Sequence, residues 1–272
     1  MRFYIHKIIT KLMRLFLAFV NLSCKRKSCY ICSKKFYRFF PYRGGSKFLT
    51  KYEKLLDLIG SDIDNFSCMY CGSNDRERHL HMYFDKLNIW DKMKNGVILH
   101  FAPEKTLEKK ILSLNPAIYI KADLFPQDKT TKKMDATNIE LTDNSVDIIV
   151  ANHILEHILE YKKALNEFYR VLKTDGIAIL QTPFSRLLSK NFEDSSINTD
   201  KLRKFFYGQE DHVRIFSEKE LLNEISKAGF ELKIVEHKEL FSKQDAYYFG
   251  VNQNEYLIMG IKKVKLDKFS IS

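Results

Sequence analysis

Residues 146–182 of this 272-residue chain read VDIIVANHILEHILEYKKALNEFYRVLKTDGIAILQT. Residues 146–151 form a short apolar run typical of a buried strand, and residues 155–172 repeat apolar side chains at helical spacing. Residues 177–182 form a second apolar run, which again predicts a strand. A strand, a helix and a strand in this order predict a βαβ unit, in which the two strands are parallel and the helix covers one face of the sheet.

The same alternation continues on both sides of this unit. It predicts about seven strands with helices on both faces of the sheet, a Rossmann-like α/β domain over residues 96–265. Further strands are predicted at 97–101, 118–122, 132–135 (weakly marked), 230–236 and 255–262, and further helices at 105–114 and 217–228. Ser217, with Glu220 three residues later, is expected to cap the last helix, and Gly229 is expected to end it.

Polar residues follow the predicted strands at the edge where ligands of such sheets bind. In chain order the candidate cofactor residues are Ala102, Pro103 and Glu104, then Asp123 and Leu124, then Asp135 and Ala136, and then Asn152. An acid that ends the second strand, such as Asp123, can accept hydrogen bonds from both hydroxyls of a ribose. Each acid alone is more typical of a helix cap or a solvated turn, but acids after three successive strands together favour a nucleotide site.

Residues 134–183 resemble the core of class I S-adenosylmethionine-dependent methyltransferases, particularly the methyltransferase-11 type. In that family an acidic residue and a small residue precede the segment that leads into the fourth strand, which is followed by Leu-Glu-His and by a helix ending in Arg-Val-Leu-Lys. The counterparts here are Asp135-Ala136, residues 141–147, Leu155-Glu156-His157 and residues 167–173. The similarity is strong over residues 96–182 and reaches residue 262 through the segment 211–230.

The resemblance implies that S-adenosylmethionine is the cofactor, that Asp123 binds its ribose, and that Asp135 and Ala136 meet its adenine. It also places Asn152 and His153 at the floor of the active site. The methyl group of this cofactor is already electrophilic, so the main task of the protein is to align an acceptor with it and to exclude water.

The loop after the first strand departs from the family. The family has a glycine-rich loop there, which lets the backbone approach the methionine part of the cofactor, whereas residues 100–105 read HFAPEK. A subset of the superfamily with an N-terminal Cys-x-x-Cys region, a CGSxxRxR segment (here 71–78) and LHFAPE (here 99–104) is similar to this chain. On that similarity Glu104 is expected to contact the methionine ammonium or its surroundings. A catalytically silent scaffold is the alternative that the missing glycines suggest.

Four of the five cysteines form two Cys-x-x-Cys pairs, which are Cys29 with Cys32 and Cys68 with Cys71. Two such turns brought together give the tetrahedral sulfur cage of a structural zinc site. Residues 24–75 are therefore predicted to form a zinc-ribbon-like module, followed by a linking helix over 76–95. The basic and aromatic stretch 34–45 is expected to form a β-hairpin. Two disulfides or unpaired core cysteines are the alternatives, and a reducing cytoplasm disfavours the disulfides.

The net charge of +11 is unevenly distributed along the chain. Residues 1–60 carry +12, and residues 61–272 carry −1. A basic protein is typically a candidate for binding nucleic acid or an anionic membrane. Here only the N-terminal part has the positive charge that favours such binding, because the predicted catalytic domain is electrically balanced.

Residues 1–23 are predicted to form a basic amphipathic helix. Lys7, Lys11 and Arg14 share one face of this helix, and its uncharged stretch is too short to span a bilayer. Such a helix can lie in a membrane interface. We therefore expect a cytoplasmic protein with peripheral membrane contact through residues 1–22, and a helix packed on its own domain is the alternative.

Two histidines are candidates for the general base that a hydroxyl or amine acceptor requires. His153 directly follows the fourth strand. His212 lies beside Asp211, which is expected to orient it. For each histidine a helix cap or a core hydrogen bond is the alternative role.

Residues 183–215 are predicted to include a substrate lid, because they form a polar insertion after the fifth strand. Arg214, with Arg186 and Lys190, is expected to hold an anionic acceptor. The leading hypothesis is a methyltransferase with a small-molecule or saccharide acceptor. The alternative is an RNA methyltransferase or nucleic-acid binder that uses the basic N-terminal segment to hold phosphates.

Overall fold

The computed structural model describes residues 26–264, so the predicted amphipathic helix at 1–23 and Cys24 lie outside the described residues. The strands are β1 Lys27–Ser28, β2 Lys35–Phe36, β3 Val97–Phe101, β4 Ile118–Asp123, β5 Lys132–Lys133, β6 Val146–Ala151, β7 Leu172–Ile179, β8 Phe184–Ser185, β9 Phe216–Ser217, β10 Glu231–Val235 and β11 Leu257–Ile261. The α-helices are α1 Lys51–Leu55, α2 Asp75–Lys86, α3 Ile89–Met93, α4 Lys105–Ser113, α5 Tyr161–Val171, α6 Asp200–Tyr207, α7 Glu218–Lys227, α8 His237–Leu240 and α9 Lys243–Phe249. Two short 3₁₀ helices cover Ser46–Phe48 and Leu155–His157. Between residues 26 and 264, no helix has the length and apolar character needed to cross a bilayer.

Seven strands form the central sheet in the order β10-β11-β7-β6-β3-β4-β5. Neighbouring strands are parallel, except that β11 runs antiparallel to both β7 and β10. The predicted seven-stranded, Rossmann-like sheet is therefore confirmed. Because β3 pairs with β4 on one side and with β6 on the other, the strand order reverses at β3 and leaves a crevice between the carboxyl ends of β3 and β6.

Helices cover both faces of the sheet, as the alternation predicted. Successive side chains of a strand point to opposite faces, and in β3 the neighbours Ile98 and Leu99 belong to two separate apolar clusters. The cluster around Leu99 includes side chains of α5 and α7, and the cluster around Ile98 includes side chains of α2, α3 and α4. The cap of α7 is also confirmed, since the Ser217 side chain accepts a hydrogen bond from the Glu220 N–H.

The helix predicted over 155–172 is divided in two. Leu155–His157 forms a 3₁₀ turn, and α5 follows after a gap. The guanidinium of Arg214 donates hydrogen bonds to three carbonyl oxygens in and after this turn, those of Leu155, Ile158 and Leu159. A continuous α-helix would have bonded these oxygens to backbone N–H groups four residues further on. A distant arginine thus replaces the helical hydrogen bonds.

The hairpin of the cysteine-bearing region also differs from the prediction. β1 and β2 pair antiparallel across the turn that carries Cys29 and Cys32, and Phe40 bridges to Ser67. The stretch 34–45 therefore supplies one strand of a hairpin and is not a hairpin by itself. Its two glycines, both with positive φ, turn the chain away instead.

Arg78 joins the cysteine-bearing region to the rest of the molecule. Its buried guanidinium lies 3.9 Å from the ring centre of Phe39. It donates hydrogen bonds to the backbone carbonyl oxygens of Asn65, Phe66, Ser73, Phe249 and Gly250. A buried charge is tolerated only when its hydrogen bonds are satisfied, so this side chain ties the segments before α2 and after α9 together. Where a single linking helix was predicted over 76–95, the chain forms two helices, α2 and α3.

Candidate active site and cysteine centre

Glu104 lies at the crevice between β3 and β6. Its Oε2 is 2.9 Å from Nε2 of His100 in β3, and Nδ2 of Asn152, which follows β6, donates a hydrogen bond to its Oε1. Burial opposes ionisation of this carboxyl group, but the hydrogen bonds from His100 and Asn152 hold its pKa below the usual range. The loop after β3 therefore presents an ionised carboxylate, which is hydrogen-bonded to Asn152 at the end of β6.

Ala102 shows how the loop after β3 turns without a glycine. Its φ is 46°, in the left-handed region that glycine normally occupies. Its N–H donates a hydrogen bond of 2.8 Å to the carbonyl oxygen of Ala122 in β4. The methyl group of Ala102 is exposed, so it meets no packed neighbour. An alanine thus adopts the backbone turn for which glycine is usually selected.

Asp123 is the last residue of β4, and Asp135 lies on the turn after β5. Oδ1 of Asp123 accepts a hydrogen bond of 2.7 Å from the Phe125 N–H. Oδ1 of Asp135 accepts hydrogen bonds from the N–H and the hydroxyl of Thr137, at 2.8 and 2.9 Å. Within residues 26–264, the second oxygen of each carboxylate has no hydrogen-bond donor. Each side chain therefore keeps an acceptor for a ligand at this edge.

His153 follows β6 and has a carboxylate beside each of its ring nitrogens. Nε2 is 3.2 Å from Glu255, Nδ1 is 3.4 Å from Glu156, and all three side chains are buried. Burial and the charge of Arg76 act to lower the pKa of His153, but the hydrogen bonds to the two carboxylates outweigh them and raise it. Burial acts to raise the pKa of Glu156 and of Glu255, but His153 holds both at about 2. These side chains form a buried network of charges.

His212 lies near this network in a different electrostatic setting. Burial lowers its pKa, so the ring is neutral at pH 7. Its Nδ1 is 3.2 Å from the carbonyl oxygen of Tyr207, and since a carbonyl only accepts, Nδ1 carries the proton and Nε2 carries a lone pair. The expectation that Asp211 orients this ring is wrong. The Asp211 carboxylate lies 3.3 Å from Nδ1 of His157, whose ring packs edge to face against His212.

Arg214 and Arg186, the two arginines expected to hold an anionic acceptor, contact other groups of the protein. The Nε of buried Arg214 donates to Glu193 at 2.6 Å, and its other nitrogens bond the carbonyl oxygens described above. The Nε of Arg186 donates to Glu218 at 2.9 Å. All three nitrogens of the Arg214 guanidinium are thus engaged, contrary to the expectation that it holds an anionic acceptor, whereas within residues 26–264 only the Nε of half-exposed Arg186 is engaged.

Two adjoining cavities of about 400 and 570 Å³ open beside His153. Both are lined by Arg76, His153, Glu156 and His212. The remaining walls come mainly from residues 42–66 and 204–215. The segments 42–66 and 204–215, together with Arg76 and the residues directly after β6, are distant in sequence and enclose one space at the end of β6.

Arg76 was not among the residues expected at the site. It lies in the first turn of α2, its charge acts on both Glu104 and His153, and its buried Nε has no hydrogen-bond partner within the described part of the chain. The CGSxxRxR segment at 71–78 contained this residue, so a signal was present. Glu255 was also missed, and no motif near it pointed to the site.

A family model described as a methyltransferase domain matches residues 68–235, more than half of the chain. The chain belongs to this methyltransferase family. With the sheet order described above, it is a class I S-adenosylmethionine-dependent methyltransferase. The match begins at Cys68, so the second cysteine pair lies within it.

The methyltransferase is also similar to solved structures. The YcgJ protein of Bacillus subtilis is 18% identical, with 68% of this chain and 99% of that chain covered and a TM-score of 0.44. An S-adenosylmethionine-dependent methyltransferase of Mesorhizobium loti is 11% identical, with 66% and 98% covered and a TM-score of 0.48. A phosphoethanolamine N-methyltransferase of Haemonchus contortus is 14% identical, with 69% and 52% covered and a TM-score of 0.43. No curated protein sequence matched the chain.

Four cysteines of the methyltransferase meet at one point. Their Sγ atoms lie within 4.8 Å of one another, with 3.6 Å between Cys29 and Cys71 and 3.8 Å between Cys32 and Cys68. Four thiolates at about 2.3 Å from a tetrahedral zinc ion are separated by about 3.8 Å, so this cluster fits zinc. The separations are well beyond the roughly 2.05 Å of a disulfide bond. These four cysteines are free thiols in the structure, in contrast to the disulfide alternative.

Proposed function

We propose that this methyltransferase acts on a small-molecule or saccharide acceptor that binds in the two adjoining cavities. The observation that best supports this acceptor site is the position of the cavities. Their shared lining includes His153, directly after β6, and Arg76, whose charge acts on Glu104 in the cofactor crevice. Their volumes of about 400 and 570 Å³ lie within the range of roughly 300–1,000 Å³ that is usual for small-ligand pockets.

S-adenosylmethionine, when bound, supplies an electrophilic methyl group on a sulfonium sulfur. In this proposal Asp123 binds the ribose through the carboxylate oxygen that has no partner in the protein. Leu124, whose side chain is 45% exposed beside Asp123, covers the adenine together with Ala136. Asp135 accepts a hydrogen bond from the adenine amino group. An exposed leucine at this edge otherwise has no apolar surface to meet.

Glu104 and Asn152 fit the amino-acid end of the cofactor. Oδ1 of Asn152 is buried and has no hydrogen-bond partner among residues 26–264. An unpaired buried acceptor is costly, and the ammonium group of a methionine moiety would satisfy it. The ionised carboxylate of Glu104 lies beside it and favours the same positive charge. The backbone of Ala102 and Pro103 then lies next to this end of the cofactor.

His153 and His212 have different roles in this proposal. Both nitrogens of His153 face carboxylates, so this ring contributes a fixed positive charge and positions the floor of the cavity. His212 donates through Nδ1 to a carbonyl oxygen and keeps a lone pair on Nε2. That lone pair is the basic group that we assign to activation of the acceptor.

We further propose that the four cysteines hold a structural zinc ion. They provide all four ligands, so no position is open for a substrate. Residues 42–66, which form one wall of the acceptor cavity, lie between the two cysteine pairs. By closing this segment at both ends, a zinc ion would stabilise the shape of the acceptor cavity.

Calorimetric titration with S-adenosylhomocysteine tests the cofactor site. We expect micromolar binding that Asp123→Ala weakens roughly 100-fold, because two hydrogen bonds to a charged group, each worth about 1.5 kcal/mol, are lost. Asp91→Ala, which removes an exposed carboxylate in α3, serves as the matched control and should bind as the wild type does. Absence of binding to the wild type, or equal binding by Asp123→Ala, would refute the proposal and favour the silent scaffold.

A further inference from the structure

A second cluster of metal-ligating side chains lies in the acceptor cavity, apart from the cysteines. Glu156, His157 and His212 each place one ligand atom within 4.8 Å of the other two. Glu156 and His157 come from the 3₁₀ turn after β6, and His212 comes from the loop after α6. All three line the larger cavity. The set brings two imidazoles and one carboxylate together on the wall of a cavity.

The two histidines are oriented in the way that metal-binding histidines are. Nδ1 of His157 lies 3.3 Å from the carbonyl oxygen of Asp211, and Nδ1 of His212 lies 3.2 Å from that of Tyr207. Since carbonyl oxygens only accept, both rings donate through Nδ1, which leaves the Nε2 position of each ring for a metal ion. A metal-binding histidine usually donates its other N–H to a carbonyl or carboxylate in this manner.

Glu156 supplies an independent observation. Its side chain is 2% exposed, and only Oε1 is engaged, by His153 at 3.4 Å. Oε2 is buried and has no hydrogen-bond partner within the described residues. Buried polar atoms are rarely left without a partner, and this one belongs to a carboxylate that lies within 4.8 Å of two imidazoles. A cation at this point would satisfy all three groups.

We propose that Glu156, His157 and His212 bind a divalent transition-metal ion of the zinc type. Imidazole and carboxylate ligands suit such an ion, and three protein ligands leave a coordination position open, as in catalytic rather than structural zinc sites. This inference rests on the proposed function, since all three side chains line the larger of the two cavities proposed to bind the acceptor. It also narrows the acceptor to molecules that carry a hydroxyl group, because an oxygen would fill that position.

The reaction then proceeds as follows. A metal ion held by Glu156, His157 and His212 would lower the pKa of an acceptor hydroxyl bound to it, so that the proton of this hydroxyl could pass to solvent. The acceptor oxygen forms a bond to the methyl carbon while the bond between that carbon and the cofactor sulfur breaks. The sulfur keeps the electron pair, and the products are the methyl ether, S-adenosylhomocysteine and one proton. His212 would act here as a metal ligand, and this role replaces the role of general base that is assigned to it above.

Metal analysis of the full chain tests the site. After loading with Zn²⁺ and removal of free metal, the wild type should carry about two equivalents, one at the cysteines and one at the new site. His157→Gln and, separately, His212→Gln should each carry about one. His237→Gln is the matched control, because this histidine also bonds a carbonyl oxygen but lies outside the cluster, and it should keep both equivalents.

Loading with Co²⁺ distinguishes the two sites by their absorption. The wild type should show both thiolate-to-cobalt bands and the bands of a nitrogen- and oxygen-ligated ion, and His157→Gln should lose only the latter. A wild type with about one equivalent and thiolate bands alone would overturn the metal site, as would histidine variants that keep both equivalents. Titration of the same samples with S-adenosylhomocysteine separates the two proposals: binding with a single thiolate-held metal refutes only the second site, and absence of binding refutes the proposed function.

Discussion

Asp123 at the end of β4 and Asp135 after β5 lie at the proposed cofactor edge, and each accepts a hydrogen bond from a residue two positions further along the chain. The floor of the acceptor cavity is formed by His153 and Glu156, which line it, together with buried Glu255, which contacts His153 and is 102 residues from it in sequence. The cofactor edge therefore consists of local turns, and the floor consists of charges that only folding brings together. A buried charge is strongly unfavourable without its partner, so the floor is stable only as a complete set.

Because of this difference, we expect ligand affinity and fold stability to depend on different residues. Substitutions at the cofactor edge should change the binding of the cofactor and leave the free energy of unfolding nearly unchanged. Substitutions at the floor should do the opposite, because each removes a partner from a buried charge. The following variants test that separation, beginning with the largest expected effect.

Glu255→Gln should destabilise the fold by about 3 kcal/mol, because it leaves the buried ring of His153 with one carboxylate in place of two. Urea unfolding at pH 7 measures the change. Glu231→Gln, at an exposed position of β10, is the control and should lie within about 0.5 kcal/mol of the wild type. A loss below about 1 kcal/mol for Glu255→Gln would contradict the view that the floor depends on its full set of charges.

Asp75→Asn should stabilise the protein at pH 7 by about 1–3 kcal/mol. Burial, together with the charge of Glu255, raises the pKa of Asp75 to about 6. Because this pKa lies above the value of about 3.9 in the unfolded chain, wild-type stability is lost as the pH rises from about 4 to about 6. Asparagine does not ionise and still accepts the hydrogen bond from the Asp62 N–H.

Urea unfolding of both proteins at pH 4 and pH 7 checks this prediction. The advantage of Asp75→Asn should be present at pH 7 and nearly absent at pH 4, where the wild-type carboxyl group is protonated in the folded state. An advantage of equal size at both pH values would show that ionisation of Asp75 is not its cause.

Ala102→Gly should raise the free energy of unfolding by roughly 0.5–1 kcal/mol, the smallest of these effects. The left-handed φ of 46° costs alanine about 1–2 kcal/mol in the folded state, and glycine removes this cost. Part of the gain is offset because glycine also makes the unfolded chain more flexible, which favours unfolding. Ala117→Gly, at an exposed position without positive φ, is the control and should lower stability instead. Thermal unfolding of the two variants would contradict this account if both changes had the same sign.

Local patterns predicted the elements of the sheet well. The strands expected at 97–101 and 146–151 are observed with those bounds, and Ser217 caps its helix as its spacing from Glu220 indicated. Such features depend on side-chain periodicity and on contacts three residues apart, which a linear sequence displays directly. The two Cys-x-x-Cys pairs were recognised for the same reason, since each pair lies within one turn.

Long-range contacts account for the features that the sequence did not predict. Arg214 was expected to hold an acceptor and instead holds the 3₁₀ turn after β6. Asp211 was expected to orient His212 and instead contacts His157. In each case two groups compete for one partner, and the outcome depends on distances across the fold that sequence spacing does not contain.

Sequence alone was sufficient for the alternating strands and helices of the central sheet, the family and the two cysteine pairs, and it supplied the acids that we propose for the cofactor site. All of these are set by local periodicity, turn chemistry and motif spacing. Only the tertiary structure placed Arg76 and Glu255 beside His153 and brought His157 and His212 to Glu156. The physical reason is that the free energy and the role of a buried charge or lone pair depend on its partners. These partners lie up to about a hundred residues away in sequence and meet only when the sheet has formed.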